Sequence, residues 1–329
     1  PKLGIAPRLC LYGTVLNSVS TVERSVRSVF RPDAEIVVVD GGSTDGTYEK
    51  LLEISKEYNL KVYRLPGSSR GLGRNYALHK CPEGSYAAYF DLDDEYNEYF
   101  HRSVEWGMAQ GVPDPLFYLT QREYAIARGG WRDLNYAEDV EFFARVGFRY
   151  HFPVLFRQRV GGPSGRHVRP AQLFDRRYAV SKVAAIRRSF RSAVDLARGT
   201  GFTFAELMSS VRPALRPAAA LAFIVAAIEG IYRYDERLNN YDLMFRYMIG
   251  GLADPVREIG AREQDVIFSV LEATAKKLGL GWVLGRLWSA GLKTFRCRQG
   301  RATVLVGVMT PDALRALGGS LGLSSCSLI

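Results

Sequence analysis

Ile36-Val37-Val38-Val39-Asp40-Gly41-Gly42-Ser43-Thr44-Asp45-Gly46-Thr47 is an apolar, β-branched run that stops at an acid and then turns through three glycines. The run fits a short buried strand, and the turn leads into a helix. A carboxylate at a strand end, Asp40, can accept hydrogen bonds from a base or a ribose. The glycines let the backbone approach a ligand closely. Asp45 also suits the cap of the helix that follows. By itself this corner reads equally well as a structural turn.

Working outward, the same alternation repeats. Leu9 to Val15 is an apolar run, and residues 20–30 carry Val22, Val26 and Val29 at helical spacing. Residues 47–58 place Leu51, Leu52 and Ile54 on a helix, 61–65 read as a strand, 73–80 as a helix and 86–90 as a strand. Strands alternating with helices predict an α/β fold, a mostly parallel sheet with helices on both faces. Ligands of such sheets lie at the carboxyl ends of the strands.

The strand at 86–90 runs into Asp91-Leu92-Asp93-Asp94-Glu95, four acids in five positions. Like charges crowded together are costly unless a cation neutralises them, and hard divalent metals with oxygen ligands do so. A divalent-metal site is the economical explanation. A solvated acidic loop is the bland alternative.

Together these elements resemble family 2 glycosyltransferases, over about residues 9–150 and in the family's own order. The resemblance implies a three-layer α/β/α GT-A fold, Rossmann-like, of the nucleotide-diphospho-sugar transferase superfamily. It implies that Asp40 recognises the base, and that Asp91-Leu92-Asp93 is the DXD motif that meets the donor's ribose and metal-diphosphate, with Asp93 or the adjacent Asp94 as the direct metal ligand. Gly71-Leu72-Gly73-Arg74-Asn75 is similar to the family's G-x-x-x-A-R-N segment, so Arg74 and Asn75 join Asn17, Gly42, Ser43 and Asp45 as candidate donor contacts. Arg128-Gly129-Gly130-Trp131 and Glu138-Asp139 resemble the GG(F/W) and ED motifs. By that likeness Gly129, Gly130 and Trp131 lie on the acceptor side, Asp139 is the general base and Glu138 supports it. The plain physical alternative is that Glu138 and Asp139 open a helix at 140–146, where acids favour the dipole. The usual proline-aromatic-asparagine segment after the first strand is reduced here to Asn17. The Q-x-x-R-W signature of processive synthases is absent, which favours single transfer.

Charge divides the chain. Residues 1–150 hold 18 Lys/Arg against 21 Asp/Glu, net −3, whereas 151–329 hold 26 against 13, net +13. Such asymmetry suggests an anionic partner for the second half: phospholipid headgroups, a polyprenyl phosphate or, less favoured, nucleic acid. Residues 176–191, with Val180, Val183, Ile186, Phe190 and Val194 spaced as a stripe beside arginines, and 278–298, rich in Trp, Leu and Arg, read as basic amphipathic helices suited to a membrane interface or to packing on each other. The apolar segment 217–228 has 12 residues, short of the roughly 20 that a spanning helix needs, and reads as a buried helix. Cys10, Cys81, Cys297 and Cys326 show no CxxC spacing, so neither a zinc knuckle nor a disulfide framework is expected and a reducing, cytoplasmic setting fits. Pro1 to Arg8 lacks the apolar core of a signal peptide. His79, His101, His151 and His167 read as packing or surface residues.

The expectation is therefore a donor-binding and catalytic region at 1–170 and a basic, mainly helical extension at 171–329. The reaction expected is metal-dependent (Mn²⁺ or Mg²⁺), inverting, single transfer from a UDP- or GDP-linked sugar to a hydroxyl or lipid phosphate of a saccharide or polyprenyl-linked acceptor, with a peripheral contact to anionic membrane. The rivals are a sugar nucleotidyltransferase and a non-catalytic binding module of the same fold. A nucleotidyltransferase would carry a glycine-rich, arginine-containing phosphate loop near the N-terminus, and residues 4–13 contain none.

Overall fold

The computed structural model describes residues 8–159, 182–319 and 321–329. In chain order the first part runs β1 (Leu9–Val15), α1 (Val22–Val29), β2 (Ala34–Asp40), α2 (Thr47–Ile54), β3 (Leu60–Arg64), α3 (Arg70–Lys80), β4 (Tyr86–Tyr89), β5 (Asp94–Tyr96), α4 (Glu98–Ala109), β6 (Leu119–Gln121), α5 (Arg122–Ala127), α6 (Glu138–Val146) and β7 (Arg157–Arg159). β1, β2, β3, β4 and β6 form one sheet in the order β3-β2-β1-β4-β6. Pairing is parallel up to β4, and β6 adds antiparallel at the edge. Right-handed crossovers put α1 and α2 on one face; the chain then steps back over β2 and β1, so α3 covers the other. This is the predicted α/β sandwich.

The apolar spacing explains the packing. Val22, Val26 and Val29 of α1 and Leu51 of α2 are fully buried against the uninterrupted Ile36-Val37-Val38-Val39 of β2. α3 lies close on β1 because two of its positions are glycine. A Cβ on Gly73 would run into Thr14 of β1, and one on Gly71 into the carbonyl oxygen of Arg132. The Gly-x-Gly spacing thus seats α3 on the strand behind it and on the loop before α6.

The second part holds α7 (Lys182–Thr200), α8 (Phe204–Ser210), α9 (Arg216–Glu229), α10 (Asn240–Gly250), α11 (Pro255–Ile259), β8 (Ile267–Leu271), α12 (Glu272–Leu278), α13 (Leu280–Ser289), β9 (Lys293–Gln299), β10 (Ala302–Val308), α14 (Pro311–Gly318) and β11 (Leu323–Leu328). It is mainly helical, and it adds a four-stranded antiparallel sheet in the order β11-β9-β10-β8 that the sequence reading did not foresee. The stretch 278–298 is accordingly not one helix. Gly279 and Gly291 take left-handed backbone (φ 95 and 77), closing α12 and α13, and the remainder becomes β9.

Three further expectations need correction. The segment 217–228 is not buried: α9 covers only Ala222 and Ala226 fully, and leaves Leu221, Ile224 and Ile228 in solvent. The stripe at 176–191 begins outside the described residues, as does His167; within α7, Val194 is buried but Ile186 is exposed. The cysteines pair, Cys10 of β1 with Cys81 just after α3, and Cys297 of β9 with Cys326 of β11. Local spacing could not show this, because both pairs join elements brought together only by the sheets, and the pairing removes the cysteine argument for a reducing setting. His79 is exposed, His101 contacts the carbonyl oxygen of Ser28, and His151 is buried with its pKa pushed down to about 3 by desolvation, in keeping with packing roles. No helix among the described residues is long and apolar enough to cross a membrane.

Candidate active site

β1 and β2 end level with one another, Val15 beside Asp40, so the loops that follow share one cleft at the carboxyl edge of the sheet. Asp40 is wholly buried. Its Oδ1 accepts the amides of Gly42 and Ser43, each at 3.0 Å, and Arg64 Nε stands 3.5 Å away. Its Oδ2 is buried with no hydrogen-bond partner. An unsatisfied buried acceptor costs about 1–3 kcal/mol, so this oxygen marks a place for a donor group. Gly42 must be glycine, since its φ is 98 and Pro66 crowds the position a Cβ would take.

Asn17 and Asp45 face inward to the scaffold. Asn17, at φ 51, accepts the Thr44 amide through Oδ1 and donates its own amide to Ser43 Oγ at 2.9 Å. Asp45 accepts the amides of Thr47 and Val19 and the Thr47 hydroxyl. Asn17, Ser43 and Asp45 stitch the β1 and β2 loops together; Gly46 is the N-cap of α2, and Asp45, one residue before it, satisfies the first helical amide, that of Thr47.

Arg74 departs most from its expected place. Its guanidinium is buried, donating from Nη2 to Asp91 Oδ1 at 2.5 Å and from Nη1 to Glu138 Oε1 at 2.8 Å. It also lies 4.8 Å from the ring centroids of both Tyr89 and Trp131. Arg74 therefore ties the end of β4 to the head of α6 from beneath. Burial lowers its pKa, but Asp91 and Glu138 outweigh that and raise it overall. Asn75 accepts the Trp131 amide at 2.9 Å and fixes the same loop.

The acidic loop after β4 is held by a residue the sequence reading missed. Arg157 of β7 reaches Asp91 Oδ2 at 2.9 Å and Asp94 Oδ2 at 3.2 Å. Burial pushes the Asp91 carboxyl up, but Arg74, Arg157 and Arg70 together hold it well below the usual range. The signal was cross-strand charge: Asp94-Glu95-Tyr96 pairs antiparallel with Arg157-Gln158-Arg159. Asp94 is buried within β5 and committed to Arg157, so it does not fit a metal-ligand role; Asp93, partly exposed, is the better placed of the two. Among the described residues no group of three or more His, Cys, Asp or Glu forms a protein cage for a metal. The donor set suits the other arrangement, one or two carboxylates shared with substrate phosphates and water.

α6 brings up the last pair. Ala137, just before it, takes left-handed backbone at φ 58, a conformation that costs a non-glycine residue about 1–2 kcal/mol. Gly199 of α7 packs against its carbonyl with no room for a side chain, and the Asn135 amide donates to buried Asp195 of α7 at 2.9 Å. The basic half of the chain thus braces this corner. Glu138 is buried, with Oε1 on Arg74 and Arg70 and Oε2 unpartnered, and burial outweighs both arginines to raise its pKa. Asp139 is partly exposed and accepts the adjacent Val140 amide at 2.8 Å; its charge, like that of Asp91, acts on Arg74 and Tyr89. Trp131 cannot face an acceptor: it is buried, stacked on Phe142 at 4.1 Å, and donates to Tyr12. Gly129 and Gly130, at φ 90 and 57, turn the loop over Asn75, and Arg145 clamps the Gly130 carbonyl at 2.6 Å.

Residues 14–105 match the family model described as glycosyl transferase family 2. No curated protein sequence is significantly similar to the chain. Among solved structures it is similar to residues 1–349 of TarS from S. aureus in complex with UDP-GlcNAc, at 18% identity over 67% of this chain and 81% of that one, with a TM-score of 0.44. It is also similar to the mannosyltransferase PcManGT from Pyrobaculum calidifontis in complex with GDP-Man and Mn²⁺, at 18% identity over 68% and 76%, with a TM-score of 0.36. The matched segment runs from the end of β1 into α4 and so includes Asp40, Arg74 and the Asp91-Leu92-Asp93 loop; over that segment the chain is similar to family 2 glycosyltransferases.

Proposed function

We propose that the cleft binds a UDP- or GDP-linked sugar and transfers the sugar once, with inversion, to a hydroxyl or lipid phosphate of a saccharide or polyprenyl-linked acceptor. Residues 1–170 would bind the donor and carry the chemistry, and 171–329 would position the acceptor or a membrane surface. The observation that carries the reading is the Asp91–Arg74–Glu138 ion network, which couples the strand-end acids to the head of α6.

Asp40 Oδ2 accepts the N–H of the base, and Gly41 and Gly42 let the backbone lie against the nucleotide. Asp93 would hold Mn²⁺ or Mg²⁺ beside the donor's diphosphate. When bound, the ion supplies positive charge that stabilises the departing diphosphate. Asp139 Oδ2 takes the proton of the attacking acceptor oxygen. Glu138 acts as a positioning residue: buried and anchored by Arg74, it fixes the first turn of α6 and leaves Asp139 as the base.

The test is turnover across UDP-, GDP- and dTDP-sugars with Mn²⁺, Mg²⁺ or chelator, comparing wild type with Asp139→Asn. The expected result is metal-dependent turnover of one donor class, with donor affinity retained and kcat down about 10²–10⁴-fold in the variant. Equal turnover by Asp139→Asn would remove the base assignment, and no turnover with any donor or metal would remove the reaction.

A further inference from the structure

We propose that the exposed face of α9 is a docking surface for an anionic lipid bilayer. α9 is the most apolar helix of the second half, and only part of it is used for packing. Ala222 and Ala226 are buried against Val194, Ala197 and Leu207. On the other side Leu221 and Ile224 are each 55% exposed and Ile228 is 81% exposed. These three recur at steps of three and four, so they share one face of the helix. Ala218 and Ala227 are exposed as well, and no charged residue falls between Arg216 and Glu229. Half-exposed Phe204 packs edge-on against Phe223, 5.5 Å away on the packed side of α9, and leaves the stripe uncovered. A contiguous apolar surface of this kind marks an interaction site.

Charge selects the occupant. Arg212 and Arg216 are exposed at the head of α9, and Arg216 is anchored there by donating to the Met208 carbonyl at 3.1 Å. The one acid of the helix, Glu229, is already engaged by Arg191 and Arg198, at 2.8 and 3.2 Å. An apolar stripe with an arginine rim complements acyl chains beneath anionic headgroups. A second copy of the chain would set one arginine rim against another across a two-fold axis. The stripe also lacks the Tyr, Trp and Met that enrich the centres of protein interfaces. With 14 residues α9 is about 21 Å long, short of the roughly 30 Å hydrocarbon core, so it lies in the interface plane and does not cross.

This deepens the membrane-side reading of the acceptor and rests on it for its purpose, yet vesicle binding needs neither donor nor acceptor. The experiment is flotation of the full chain with phosphatidylcholine vesicles with and without phosphatidylglycerol. Binding to the anionic vesicles is expected. Leu221→Glu/Ile228→Glu should lower the partition coefficient at least about ten-fold. Arg212→Glu/Arg216→Glu should lower it by a similar factor or more, since each basic residue near an anionic surface is worth about five-fold. Donor binding and circular dichroism should be unchanged in both variants. Absence of vesicle binding at low salt, or wild-type binding by both variants, overturns the proposal. So does a concentration-dependent dimer that Leu221→Glu/Ile228→Glu abolishes without any lipid binding. Turnover without vesicle binding sinks this surface alone, and vesicle binding without any donor binding sinks the transfer reading alone.

Discussion

Replacing Arg74 with methionine removes the cation on which the cleft is assembled while keeping much of its volume. Asp91 keeps Arg157, but buried Glu138 keeps only the more distant Arg70, at 3.4 Å. Deleting one partner of a buried ion pair costs about 3–5 kcal/mol, and the lost contacts over Tyr89 and Trp131 add about 0.5–1 kcal/mol each. At about 2–4 °C per kcal/mol for a domain of this size, the melting temperature should fall by roughly 10 °C or more near neutral pH. The pH dependence is the sharper signature. Glu138 has its folded pKa raised above the unfolded value, so the stability it contributes is present below the ordinary glutamate pKa and is lost as pH rises through the raised one. Removing Arg74 raises it further, so the variant's deficit should be largest at pH 8 and shrink toward pH 5. Asp91 is depressed: its contribution is lost only as pH falls below the aspartate range, so it stays constant across this window. Thermal melts of wild type, Arg74→Met and Arg74→Met/Glu138→Gln at both pH values decide the matter. The double variant should recover about half the loss. A shift under about 2 °C, a deficit independent of pH, or strict additivity in the double variant would refute the reasoning.

The seat of α3 is open to test as well. Gly71→Ala drives a methyl into the Arg132 carbonyl oxygen and should cost about 1–3 kcal/mol in a denaturant melt, whereas an unchanged midpoint would mean the helix does not press on the 130s loop. The Cys10–Cys81 bridge closes a loop of sequence separation 71, for which chain entropy gives about 4 kcal/mol. Cys10→Ala/Cys81→Ala should therefore melt roughly 10 °C lower, and reductant should shift wild type but leave that variant nearly unmoved.

The first half was legible because its periodicities are strong and local. The β-branched run that forms β2, the valine spacing of α1 and the glycines of α3 each have one good structural outcome, and the observed elements fall within a few residues of those expected. Of the acids singled out by residue identity, Asp40, Asp91 and Asp93 sit at or just past strand ends, and Asp139 lies near enough for its charge to act on Arg74 together with Asp91. What failed was the assignment of individual side chains. Arg74, Asn75, Trp131 and Asp45 look like contact residues in a motif but are spent on one another or on backbone, and burial is not visible in spacing. Arg157 carries no local motif, and the charge complementarity of β5 and β7 becomes informative only once their pairing is known. α9 misled for the opposite reason: composition reports how apolar a helix is, not which of its faces the fold chooses to cover.

The central claim is that the cleft at the end of β2 takes a nucleotide-sugar by its base. Titration calorimetry with UDP- and GDP-sugars in Mn²⁺, on wild type and Asp40→Asn, tests it directly. Losing a charged acceptor from a buried hydrogen bond is worth about 1.5–3 kcal/mol, so the account predicts saturable binding of one donor class that weakens about 10- to 100-fold in the variant. Binding of equal strength in wild type and Asp40→Asn, or no binding of any nucleotide-sugar, would contradict it.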